Sequence, residues 1–104
     1  MAQFIVYENG NPASRKRVPC LLDVQSDLID AMDSRVVVPL IRVAGSGRPI
    51  DGLMPAVVVG GEPMLMDTAH LAGVPRSVIG KKVEDLSGER ATIMAALDFL
   101  VSGI

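Results

Sequence analysis

Four aspartates, Asp23, Asp27, Asp30 and Asp33, crowd the short segment "DVQSDLIDAMD". Carboxylates this close suggest a cation site or general acid–base chemistry. A calcium loop sets its ligands as D-x-D-x-D-G with a distal Glu, and that spacing is absent. The segment reads as a solvated loop. His70 is the only histidine and Cys20 the only thiol. Cys20 falls in an apolar run, so His70 has no nucleophile paired with it by spacing, and it reads as a polar residue near a strand end. "GSGRP" at 45–49 has two glycines but no G-K-[S/T], and no strand-to-helix unit surrounds it, so it is a loop and not a phosphate cradle. "SRKR" at 14–17 reads as a solvated hairpin tip that could dock an acidic partner segment. Spacing assembles no catalytic set, cofactor site or metal site.

The elements that would position these residues are easier to read. The 104 residues suit one domain, 1–104, with a core of its own. A net charge of −2 and a pI near 5.2 argue against direct grip on a phosphate backbone. The aromatics are only Phe4, Tyr7 and Phe99, too few for a base-stacking platform. No run approaches the ~20 apolar residues of a membrane span, and no signal peptide is recognisable. A single cysteine favours a reducing compartment, the cytoplasm.

"QFIVYEN" alternates Phe4 and Val6 against Gln3, Ile5 and Tyr7 and reads as a strand. "VPCLLDV" reads as a second strand and "RVVVPLIRVA" as a third, with Pro39 suggesting an edge or a bulge. "QSDLIDAMDS" is a short helical turn or a wide loop, and "GSGRPIDG" a loop. "PAVVVGGEPMLMDTAHL" holds two strands around a Gly60–Gly61 turn. A short β-prone piece, 77–79, precedes a charged stretch. Ser87 then suits an N-cap for one closing helix. Its Ile93, Leu97, Leu100 and Val101 share a core face, opposite a stripe of Ala91, Ala95, Asp98 and Ser102. This order predicts a mainly β fold, an antiparallel sheet or small barrel with one C-terminal helix. The apolar end "DFLVSGI" points to interaction rather than to chemistry, because an exposed terminal Ile gains only when a partner buries it.

"QFIVYEN", "DVQSDLID" at 23–30, "RVVVPL" at 35–40, "VPRSVIG" at 74–80, "DLS" at 85–87 and the closing "GI" occur in the order and spacing of the CcdB family, which the whole chain resembles. The resemblance implies an SH3-like small barrel with a C-terminal helix, related in fold to the MazF endoribonucleases, that forms a homodimer. It implies a cytoplasmic toxin of a type II toxin–antitoxin pair, plasmid-borne or chromosomal, of the kind associated with plasmid maintenance. Such a toxin is not an enzyme. It binds the DNA gyrase A subunit and traps the cleaved-DNA complex. A CcdA-like antitoxin neutralises it, and toxin and antitoxin together repress their operon, so operator DNA is met only through that complex. No cofactor is implied.

The residues that match the family's gyrase-facing set are Gln3, Phe4 and Tyr7 on the first strand, Ser26, Leu28 (a conservative change) and Ile29 on the loop, and Gly103 and Ile104 at the terminus. Asp98 and Ser102 occupy two further positions of that set, where the best-known member has Asn and Trp. Two other readings follow from those changes and from the related fold. One is a non-toxic homologue that retains antitoxin binding. The other is a MazF-like endoribonuclease that uses His70 with Arg76 or Arg90.

Overall fold

A computed structural model of the chain describes residues 1–44 and 47–103. The strands are β1 (Ile5–Asn9), β2 (Cys20–Asp23), β3 (Ser34–Arg42), β4 (Ala56–Val59), β5 (Glu62–Met66), β6 (Ala72–Pro75) and β7 (Ile79–Asp85). The helix is α1 (Arg90–Ser102). All pairings are antiparallel, in the order β4-β5-β3-β2-β1-β7, with β6 also on β3. The sheet curls. The Gly60 N–H at the β4–β5 turn donates to Glu84 Oε1 at 3.1 Å, so one edge of the sheet approaches the other. The result is a half-barrel with one C-terminal helix, the mainly β small-barrel class that the order of elements predicts.

Alternation along β1 feeds two apolar clusters. Phe4 and Val6 join Leu22, Val38, Leu40, Met66 and the α1 residues Ile93 and Ala96. Ile5 and Tyr7 join Leu21, Val37, Ile41 and Leu65 in the second cluster. With both faces covered, apolar residues are buried on both sides of the strand, and only Glu8 of β1 is exposed.

Pro39 sits inside the sheet and not on an edge strand. β3 pairs with β6 from Ser34 to Val37 and with β5 from Leu40 to Arg42, on the same side. Pro39 faces the gap where one partner leaves and the next enters, and its carbonyl accepts the Asp67 N–H at 2.9 Å. A ring that cannot donate costs least where no ladder partner waits. The Gly60–Gly61 turn forms as expected, with φ of 57° and 82°.

Other expectations are corrected. The charged stretch after 79 is β7, an edge strand whose middle is exposed. Residues 77–78 belong to a 3-10 turn. Ser87 does not cap α1. It opens a 3-10 turn, its N–H is held by Asp85 Oδ1 at 2.8 Å, and that bond holds the Asp85 carboxyl below the usual range. On α1, Val101 is 85% exposed and Ala96 takes the expected core place beside Ile93. Segment 24–33 is a loop, and "GSGRPIDG" is described only from residue 47 onward.

Candidate partner-binding surface

Three of the four carboxylates of segment 23–33, those of Asp23, Asp27 and Asp30, converge on Arg35. Arg35 and Asp23 side chains are both fully buried, with Nε and Nη2 of Arg35 each 2.8 Å from Asp23 Oδ2. Asp23 also accepts the Gln25 N–H at 3.0 Å. Burial raises the Asp23 carboxyl, against the pull of Arg35 and of that N–H. Arg35 Nη1 continues outward to Asp30 at 3.2 Å, and Nη2 lies 3.8 Å from Asp27. The antiparallel pairing of β2 on β3 explains this convergence, since Asp23 stands opposite Val37 at the loop's two stems. Read as a solvated acidic loop, the segment is corrected at Asp23.

Above this hub, residues 26–29 form a lip. The Gln25 side chain is buried beneath it. Its Nε2 donates to the Ile29 carbonyl, and its Oε1 accepts the Val36 N–H at 2.9 Å. Gln3 closes the lip from the chain start, donating its N–H to Asp27 Oδ1 at 2.9 Å and its Nε2 to the Val24 carbonyl at 3.2 Å. Ser26 Oγ accepts the Leu28 N–H at 3.2 Å, which turns Leu28 outward. Leu28 is 96% exposed and Ile29 52%, and Met32 and Met1 are exposed too.

The sequence-matched residues therefore separate by depth. Gln3, Ser26, Leu28 and Ile29 come together at the surface. Phe4 is only 4% exposed and packs in the core at φ 67°, with the Arg90 guanidinium 5.3 Å from its ring centroid. Tyr7 is buried too, its hydroxyl accepting the Ala2 N–H at 3.0 Å. These two aromatics are core residues, Phe4 in one apolar cluster and Tyr7 in the other.

A second group lies at the far end of α1. Arg90 at the helix start is beside Phe4, and a helix rises about 1.5 Å per residue, so Asp98 and Ser102 stand roughly 12–18 Å further along the axis. Both are exposed. Ser102 Oγ donates back to the Asp98 carbonyl at 2.6 Å, turned toward its own helix. Gly103 ends α1 in the left-handed region at φ 73°, its N–H donating to the Phe99 carbonyl at 2.9 Å. Ile104 lies outside the described residues. Phe99 is fixed by a close approach to Gly52, where a Cβ would stand 3.3 Å from the ring.

Among the described residues, the groups weighed for reaction chemistry are each engaged locally or buried. His70 is mostly exposed and its Nδ1 is 2.9 Å from the Asp67 carboxylate. Arg76 is bound to the lip and Arg90 lies over Phe4, so the cations an endoribonuclease would set beside its base are engaged elsewhere. Burial raises the Cys20 thiol, which suits core packing and not nucleophilic attack. Among the described residues no group of His, Cys, Asp and Glu could hold a metal ion. No helix among them is long and apolar enough to cross a membrane.

Sequence reasoning missed the parts played by Arg35, Gln25 and Arg76. The signal available was the position of Arg35 at the start of an apolar strand and after four acids.

A curled antiparallel half-barrel with one helix, bearing exposed apolar residues on a braced lip, defines a small protein suited to binding another macromolecule. The family model described as "CcdB protein" matches residues 3–103 of the 104. The chain belongs to the CcdB protein family, and so to the toxins of toxin–antitoxin systems.

Proposed function

We propose that this toxin acts on DNA gyrase, binding the gyrase A subunit as a homodimer and holding the enzyme in its cleaved-DNA state. In this reading it is a cytoplasmic protein poison and not an enzyme. A CcdA-like antitoxin neutralises it and joins it on operator DNA. The observation that carries the reading is Leu28, 96% exposed on the lip at a position matching the family's gyrase-facing set. A leucine held in water gains roughly 1.5–3 kcal/mol when a partner buries it. Gln3, Ser26 and Ile29 supply the rim of one contact, and Asp98, Ser102, Gly103 and Ile104 supply a second at the helix end. Phe4 and Tyr7 serve that surface from beneath.

The test is cleavage-complex formation. Purified protein added to gyrase and supercoiled DNA should accumulate protein-linked double-strand breaks, and induced expression should arrest growth with DNA damage. Arrest without any trapped gyrase–DNA complex would refute the target.

A second reading is favoured by the helix end. Ser102 turns its hydroxyl into the helix and Asp98 adds a charge, so the chain lacks a large anchor there. A homologue that keeps antitoxin binding and has lost toxicity would show harmless expression together with antitoxin capture.

A further inference from the structure

Segment 26–29 has an outer brace as well as the inner one made by Gln25 and Arg35. Pro75 of β6 stands opposite Ser34 of β3, so Arg76 emerges beside the foot of the loop. Its backbone N–H donates to the Asp33 carbonyl at 3.1 Å. Its guanidinium then spans the loop's return limb. Nε donates to the Met32 carbonyl at 2.9 Å, and Nη2 donates to the Asp30 carbonyl at 2.7 Å and to Asp30 Oδ1 at 2.9 Å. Nη1 approaches Met1 Sδ at 3.8 Å. Asp30 is thus gripped from two sides, by Arg76 outside and Arg35 inside. Only a planar fork reaches three acceptors in one plane at fixed angles, which an ammonium cannot copy.

From this double grip we infer that Arg76 is a positioning residue: it holds the lip in one shape, so that Leu28 and Ile29 meet a partner already ordered. The inference rests on the gyrase reading for the identity of the partner. Ordering a loop at the moment of binding subtracts from affinity, and a loop ordered beforehand avoids that loss. Arg76 contributes through Leu28 and need not touch the partner.

The experiment compares wild type with Arg76→Ala, Arg76→Lys, Leu28→Ala and the Arg76→Ala/Leu28→Ala double variant. Binding to purified gyrase A subunit and amide hydrogen exchange of the free proteins are both measured. Expected are about tenfold weaker binding for Arg76→Ala, chiefly through faster dissociation, and a similar loss for Arg76→Lys, which keeps the charge without the fork. Exchange at the Ile29 amide, which is bonded to the Ser26 carbonyl at 3.0 Å, should quicken while amides of β2 and β3 stay protected. The double variant should bind less weakly than the sum of the two single losses predicts, with the remaining loss carried by Ile29. Full additivity, full activity of Arg76→Lys, or unchanged binding by Arg76→Ala overturns the positioning role alone. A wild-type chain with no affinity for the gyrase A subunit overturns the target itself, and the presentation role with it.

Discussion

Arg35 and Asp23 meet at 2.8 Å with neither side chain touching solvent, and from that pair the whole 23–33 loop is hung. A buried ion pair is weak evidence of net stabilisation, because removing two charges from water costs several kcal/mol per ion. Its value here is geometric. One guanidinium reaches Asp23, Asp30 and the Gln25 carbonyl, which converts a sheet pairing into a fixed loop.

Breaking the pair on one side should therefore be severe. Arg35→Met leaves Asp23 buried without its partner and should cost on the order of 3–5 kcal/mol in urea unfolding. Asp23→Leu combined with Arg35→Met should recover much of that loss, since no orphaned charge remains. The double variant should still lose protection at the lip, because Asp30 and Gln25 lose their inner tie. An Arg35→Met variant within about 1 kcal/mol of wild type would contradict this account.

The loop also predicts a pH dependence. The hydrogen bond and charge of Arg76, with help from Arg35, hold the Asp30 carboxyl below its ordinary value. A depressed carboxylate stabilises the fold above its unfolded pKa, about 3.9, and that contribution is lost as pH falls through the folded value. Asp85 acts in the same direction through Ser87. Asp23 has the opposite sign. Its raised carboxyl favours the fold on protonation, so it cannot produce an acid loss. Thermal unfolding from pH 7 to pH 2 should then show a shallower acid limb for Asp30→Asn than for wild type below about pH 4. The difference should shrink in high salt because Asp30 is exposed. Superimposable acid limbs would remove Asp30 as a contributor.

Two glycines separate backbone strain from site geometry. Gly61 has φ 82° with nothing within 4 Å of a built Cβ, and Gly52 has φ 79° with the Phe99 ring 3.3 Å away. Alanine at either should cost about 1 kcal/mol from the left-handed backbone. Only Gly52→Ala should also displace Phe99 and quicken exchange of the Gly103 amide, which is bonded to the Phe99 carbonyl. Equal exchange at Gly103 in both variants would show that the 50–54 loop does not fix the helix end.

The strands β1 to β3 and the Gly60–Gly61 hairpin were legible in the sequence because their apolar runs are bounded by turn residues. β7 was not. Its Lys81, Lys82 and Glu84 lie on an exposed edge strand, where no buried face imposes a period of two. Pro39 misled toward an edge, because its tolerance depends on β6 and β5 sharing one side of β3, a fact of topology and not of local pattern. Membership of Gln3, Ser26, Leu28 and Ile29 in one surface was readable only by resemblance, and their depth relative to Phe4 and Tyr7 was not readable at all. The bracing roles of Arg35 and Arg76 were not readable from local pattern, although Arg35 follows four acids. Each acts on residues that strand pairing brings near, Arg76 on Asp30 across the β3–β6 register.

The helix end carries the sharpest functional test. Ser102 is exposed on the last turn of α1 and spends its hydroxyl on the Asp98 carbonyl, so among the described residues its removal breaks no side-chain hydrogen bond to another element. Ser102→Trp should fold with stability within about 0.5 kcal/mol of wild type, as surface changes usually do. If the helix end meets the gyrase A subunit, the added aromatic should act as an anchor worth about 2 kcal/mol, near thirtyfold in affinity. Asp98→Asn in the same background should add to that gain if the pocket disfavours charge. Titration of each variant against the purified subunit reads both effects, and growth arrest at low induction should deepen in parallel. A Trp variant that folds and binds no better than wild type would place the target contact on the Leu28 lip alone, since that surface does not change with residue 102.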